Sequence, residues 1–212
     1  MSRSAPTVLL RIQDYIASFR ERFPLLDPTI EPWQLTMDLS RFIEQFAVSL
    51  ESSSFRKSAN VLVHNDATIE PGAMIKPPAI ISAACFVAGT AYLRGGVFLD
   101  RGVTIGPGCE LKSTIVLDSS SIAHLSFVGD SLVGSDVNLE AGVVVANHWN
   151  ERSEQEVTVH VGGQSIRTGV LKFGALIGDH SRVGANAVLS PGTVLAPRTV
   201  VPRLGLVDQG AA

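Results

Sequence analysis

Three basic residues, Lys76, Arg94 and Lys112, fall eighteen apart along the chain. If the backbone repeats on that spacing they form a column, and like charges about 5 Å apart repel by roughly 3 kcal/mol at an effective dielectric near 20. A stack of three therefore suggests a bound anion, most naturally a phosphate gripped by Arg and Lys together. A solvated face gives the same pattern, and Asp100 and Asp118, also eighteen apart, would form a like-charge stack with no ligand at all. His124 is the second chemical candidate, because an imidazole titrates near pH 6.5 and is the usual general base. A lone corner histidine is as readily structural. His64, His148, His160 and His180 lack the spacing of a three-histidine zinc site, so no metal is expected.

The element that would position these residues is a repeat of six. Ile69, Ile75, Ile81, Val87, Leu93, Leu99, Ile105, Leu111 and Leu117 are evenly spaced, and most have a small residue four positions on. That period is neither the 3.6 of a helix nor the 2 of a half-buried strand. It marks a mainly β fold, a hexapeptide parallel β-helix. Three hexads close one triangular coil, so residues eighteen apart stack at the usual strand spacing of about 4.8 Å. The aliphatic starts point inward and the residue after each points outward near a corner. This puts Lys76, Arg94 and Lys112 on one edge and His124 outward above Gly106, at a phase slip over Ala123–Phe127. Phe127, Val133, Leu139 and Val145 carry the pattern on. Residues 148–170 break it, and Val157, Val159 and Val161 before Gly162-Gly163 predict a projecting two-stranded arm. Hexads resume from Ile177 to Val201.

Residues 1–58 stand outside the repeat. Val8, Leu9, Ile12, Tyr15, Ile16 and Phe19 form one helical stripe, and Leu35, Leu39, Phe42, Ile43, Phe46 and Leu50 another. The expected organisation is an N-terminal helical cap over the open end of the β-helix (1–58), the β-helix with its arm at 148–170 (59–206), and a loose tail (207–212). A separate interaction module is the alternative use of the helices. The chain has 212 residues and a net charge of −3, which gives no electrostatic case for nucleic acid. No window suits a membrane span and the start lacks a signal-peptide pattern, so a cytoplasmic protein is expected. Cys85 and Cys109 fall on inward positions and read as small core residues.

Four segments follow in order: Tyr92-Leu93-Arg94-Gly95-Gly96, Glu110-Leu111-Lys112-Ser113, Ala123-His124-Leu125-Ser126-Phe127-Val128-Gly129-Asp130, and Val137-Asn138-Leu139-Glu140-Ala141-Gly142 running on to Ala146-Asn147. Together they resemble the acetyltransferase domain of the bifunctional glucosamine-1-phosphate acetyltransferase/N-acetylglucosamine-1-phosphate uridylyltransferase family. Arg167-Thr168-Gly169 and Lys172-Phe173-Gly174-Ala175-Leu176-Ile177-Gly178-Asp179 look more like the archaeal-type sugar-phosphate nucleotidylyltransferases, which carry a similar arm. The resemblance covers about residues 60–205.

It implies a left-handed β-helix, a homotrimer with sites between neighbouring subunits, and acetyl-CoA as cosubstrate. By the same resemblance, Arg94 and Lys112 would grip a hexosamine 1-phosphate, Glu110 and Asn138 would hold the sugar, and His124 would deprotonate the attacking amine. Ala141, Asn147 and Ala185 would lie along the acetyl-CoA. The chain departs from the pattern at Phe127, where bacterial members have Tyr, at Asn147-His148-Trp149-Asn150 in place of Asn-Tyr-Asp-Gly, and at Ala185 in place of Ser. Residues 1–58 are too short for the family's nucleotidylyltransferase domain and hold no Gly-rich nucleotide loop, so uridylyl transfer is not expected. The function expected is N-acetylation of glucosamine or galactosamine 1-phosphate. The alternatives are a non-catalytic β-helix binding sugar phosphate or sugar nucleotide beside a separate nucleotidylyltransferase, and another acyltransferase fed by an acyl-carrier protein.

Overall fold

A computed structural model describes residues 10–50 and 52–210. From residue 61 onward the chain winds a parallel β-helix, the fold class expected of a left-handed hexapeptide solenoid. One face is a seven-stranded sheet of two-residue strands, including Thr104–Ile105, Ser121–Ile122, Asn138–Leu139 and Arg182–Val183. The second and third faces join, because the strands Tyr92–Leu99, Glu110–Val116 and Phe127–Val133 bend through the corner between them without interruption. Ile81, Leu99, Val116, Val133 and Ile177 are fully buried inward residues of the third face, and the other two faces fill the same core. Such a column buries apolar surface worth roughly 25 cal/mol per Å².

The repeat changes length at a corner that the sequence did not single out. Arg94 pairs with Lys112, eighteen residues on, whereas Val97 pairs with Thr114, seventeen on, and a bulge falls between Arg94 and Val97. Gly95 and Gly96 occupy it with φ of +70° and +87°. A methyl on Gly96 would come within 2.8 Å of the Ser40 nitrogen, so glycine serves both the turn and the helix packed on it. From there to Val144 the coils are shorter by one residue, as the pairs Thr104–Ser121 and Ser121–Asn138 show, and beyond the arm they return to eighteen, as Arg182–Val200 shows. The slip therefore precedes Ala123. Val116, Ile122, Val128 and Val133 point into the core, while Phe127 is half-exposed and points out. Leu99 pairs with Val116, which puts Asp118 over Arg101, out of direct register with Asp100 though still near enough for the two charges to repel.

The outward residues of the third face form an apolar ladder, Leu62, Ile80, Phe98, Ile115, Leu132, Leu176 and Val194, and all are buried. The N-terminal segment covers them. Helices α1 (Phe19–Arg22), α2 (Pro32–Met37) and α3 (Leu39–Val48) lie along this face, with the rings of Phe23 and Phe46 set edge-to-face on Phe98 at 5.2 and 5.8 Å. They are a flank and do not close the first coil, which is edged instead by Phe55–Ser58 running antiparallel to Val61–His64. The first stripe buries Ile12, Ile16 and Phe19 as expected but forms only a short turn, Ile12–Asp14, before α1. Its backbone is drawn to the solenoid: Ala17 N–H donates to the Asp179 carboxylate, and Asp179 N–H donates to the Tyr15 carbonyl. Val8 and Leu9 lie outside the described residues.

The arm forms the expected hairpin, Thr158–Val161 against Gln164–Arg167, turned at Gly162-Gly163. Only its tip stands clear. Val157 and Val159 are fully buried in the cluster that holds Trp33 and Val194, and Phe173 lies 5.9 Å from Trp33. The described part of the tail is likewise tied down. The Gln209 side-chain amide accepts from Val194 N–H at 2.7 Å and donates to its carbonyl at 2.8 Å, continuing the ladder past the last strand.

Candidate active site

The candidate residues fall on two corners of the solenoid. At the corner between the second and third faces, Arg94 Nε donates to Glu110 Oε1 at 2.8 Å. One coil on, Lys112 Nζ donates to both oxygens of Asp130 at 2.7 Å and lies 3.4 Å from Ser113 Oγ. A further coil on, Asn147 Nδ2 donates to Asp130 Oδ2. The basic column expected from the spacing exists, since Arg94 pairs with Lys112 in register and Lys76 follows Ile75, the partner of Leu93. Lys76 is exposed with no side-chain partner among the described residues, whereas Arg94 and Lys112 are each paired with a carboxylate. Arg94 and Glu110 are each about a third exposed, at 37% and 35%, whereas Lys112 and Asp130 are at 19% and 6%. The outer pair can exchange partners with a ligand far more readily than the inner one, because solvent screens it and its separation leaves no buried charge behind.

His124 stands on the corner between the first and second faces. The register puts Ala123 over Gly106 and His124 over Pro107, yet Gly106 does leave room there, since a methyl on it would come within 3.0 Å of the His124 backbone nitrogen. Its side chain is exposed and has no hydrogen-bond partner among the described residues. Its carbonyl accepts from Gly142, and the Ala141 carbonyl accepts from Asn186, which makes His124, Ala141 and Ala185 successive positions up one edge. Ala141 N–H has no acceptor among the described residues, and Ala141 is exposed. Ala185 N–H is taken by Glu140 Oε2 at 2.8 Å, and Glu140 is also held by Arg203 at 2.8 and 3.0 Å. Arg203 and that N–H pull the Glu140 carboxyl down to about 2.

One chain thus gathers Arg94, Glu110, Lys112 and Asn147, and separately His124, Ala141 and Ala185. Between the corners runs the second face, with Tyr92, Glu110, Phe127 and Val144 in register. Four residues lie between His124 and Gly129, a span of at most about 17 Å that the turn at Leu125, with φ of +58°, shortens. Asn138 lies apart from Glu110, on the first face between Ser121 and Arg182. Asp130 was missed, although the motif contains it. It falls eighteen after Lys112, on the next step of the basic column, so the count reaches it; its contact with Asn147, seventeen on, is what a strict count of eighteen does not show. Glu140 and Arg203 were missed for the same reason, since the arm interrupts the count between them. Among the described residues no cluster of three or more His, Cys, Asp or Glu is placed to hold a metal, and no helix is long and apolar enough to cross a membrane.

Fold and motif together define a hexapeptide-repeat β-helix protein of the acyltransferase type. No family model matches the sequence. The chain is 44% identical over 87 residues to a bifunctional sugar-1-phosphate nucleotidylyltransferase/acetyltransferase of Sulfurisphaera tokodaii, covering 41% of this chain and 21% of that protein. It is 33% identical over 181 residues to the bifunctional protein GlmU of Methanococcus maripaludis, covering 84% of this chain and 43% of the relative. An uncharacterized acetyltransferase, YaiX, of Escherichia coli is 33% identical over 94 residues, covering 44% of this chain and 40% of that one. The chain is a homologue of these proteins, aligning with their acetyltransferase region, and spans less than half the length of each.

Proposed function

We propose that the chain transfers acetyl from acetyl-CoA to the amine of a hexosamine 1-phosphate, with His124 as general base. In this reading the amine nitrogen bonds to the thioester carbonyl carbon and the carbon–sulfur bond breaks. His124 accepts the proton lost by the nitrogen, and the coenzyme A thiolate leaves. The unpartnered Ala141 N–H, one coil above His124, supplies a donor for the developing oxyanion. Arg94 releases Glu110 to take the phosphate, and Glu110 is then free to accept from sugar hydroxyls. The observation that carries the reading is the conjunction of an exchangeable Arg–carboxylate pair on one corner with an exposed, unpartnered His124 and a free N–H on the next. The span between those corners favours completion of each site by a neighbouring copy, and we propose a homotrimer on that ground and on the resemblance.

A non-catalytic sugar-phosphate or sugar-nucleotide scaffold is the second reading. It is favoured by the ion pairs that already neutralise Arg94 and Lys112. Thiol release from acetyl-CoA separates the two, measured with glucosamine 1-phosphate, with galactosamine 1-phosphate and without acceptor. Acceptor-dependent release that His124→Ala lowers by roughly 10²- to 10⁴-fold is expected, with little change in acceptor KM. Release that is absent in the wild type, or undiminished in the variant, refutes the reading.

A further inference from the structure

We infer that Asp130 is a positioning residue for the proposed transfer, setting the orientation of the Asn147 amide and restraining Lys112. The inference rests on the acetyl-transfer reading of the site. Asp130 is 4% exposed and occupies the middle of three successive coils. Below it, the Lys112 ammonium donates to both carboxylate oxygens at 2.7 Å. Above it, Asn147 donates its amide. Asp130 takes positive φ, +45°, at the corner, and its carbonyl accepts from Gly174 N–H at 2.9 Å where the arm rejoins the solenoid.

The direction of the Asn147 amide follows from chemistry alone. A carboxylate only accepts hydrogen bonds, so the amide must meet it through NH2, and the amide oxygen is turned away from Asp130. Gly129 closes the other side: a methyl there would lie 2.6 Å from Asn147 Nδ2 and 2.8 Å from its Cγ. The Asn147 backbone is pinned as well, its carbonyl accepting from Phe173 N–H at 3.0 Å. Asn147 is therefore fixed as a presented acceptor, suited to an N–H of the attacking amine or of the acyl donor. Lys112 spends two of its three protons on Asp130, and its third faces Ser113. That leaves Arg94 as the cation with a readily exchanged partner.

The test is a double-variant cycle of Asp130→Asn and Asn147→Ala, read as kcat and acceptor KM by thiol release, with melting temperature alongside. Asp130→Asn should lower kcat roughly 10- to 100-fold, the scale of a misplaced contact of about 1 Å, with KM within about threefold. Placed in the Asn147→Ala background it should lower kcat no further, because the two act as one unit. Additive losses, or an Asp130→Asn kcat within twofold of wild type, overturn the inference. A merely structural Asp130 would lower melting temperature without this non-additivity. The second readout needs no activity. The Asn147 side-chain amide protons, identified by their loss in Asn147→Ala, should exchange slowly with solvent in the wild type and fast in Asp130→Asn. Identical exchange in the two overturns the inference as well. Should Asp130→Asn fail to fold, Lys112→Met/Asp130→Asn leaves no unpaired buried charge and carries the same exchange measurement. Slow exchange in a wild type that shows no acceptor-dependent release would refute the acetyl-transfer reading, and with it the role given to Asp130.

Discussion

Arg22→Met probes how the helical segment is held to the solenoid. Arg22 Nε donates to Asp100 Oδ2 at 2.8 Å, and the carboxylate side chain is 2% exposed against 44% for the arginine. Breaking a fully buried pair costs about 3–5 kcal/mol, because one charge stays buried without its partner. Here the arginine is half in solvent and Asp100 Oδ1 keeps the Arg101 N–H at 2.7 Å, so about 2 kcal/mol is the expected loss near neutral pH. That corresponds to roughly 4–8 °C in melting temperature for a chain of this size. The loss must also depend on pH. Burial, aided by the charge of Asp118, holds the Asp100 carboxyl above its ordinary value of 3.8, while the Arg101 N–H and Arg22 pull it back. The native state thus binds this proton more tightly than the unfolded chain, and ionising Asp100 lowers stability as pH rises from 3.8 through the native value. Removing Arg22 raises that native value further. The deficit of the variant should therefore be small near pH 4 and larger near about pH 7.5. Urea unfolding followed by the buried Trp33 and Trp149 measures it at both. An equal deficit at the two pH values would show that the arginine stem packs and its charge does nothing; no deficit at either would refute the ion pair as an anchor.

Two further outcomes follow from the packing and the charges. Phe98→Ala should cost about 3–5 kcal/mol, since the side chain is 2% exposed beneath the rings of Phe23 and Phe46; a loss under about 1 kcal/mol in urea would mean that the helices do not depend on this ladder. Glu140 contributes in the opposite sense to Asp100. Its native value near 2 lies below the ordinary 4.5, so its stabilisation is present above 4.5 and disappears as pH falls toward 2. Glu140→Gln should flatten the fall in melting temperature across that window, and a curve parallel to wild type would show the Arg203 contact to be without effect.

The sequence by itself determined the solenoid, its inward residues up to Leu111, the register of Lys76, Arg94 and Lys112, and the hairpin within the arm. These follow from local periodicity, because each hexad must turn one aliphatic residue inward whatever its neighbours do. It also supplied the motif that points to a phosphorylated sugar. Tertiary structure decided the rest. After the bulge at Gly95-Gly96 each coil up to Val144 is one residue shorter, so a strict count put His124 in register with Gly106 and Asp118 with Asp100 when the chain pairs Ala123 with Gly106 and Asp118 with Arg101. The outward ladder from Leu62 to Val194 needed a cover, and no periodicity within the helices says which surface they will cover. The third face drew the helical segment and the root of the arm because it alone offers an unbroken apolar column, which an end cap over the first coil would have left in water. The pairing of the cations also needed the stacked coils: Asp130, eighteen after Lys112, lies on the counted column, but its contact with Asn147 spans seventeen residues and the count of eighteen does not show it.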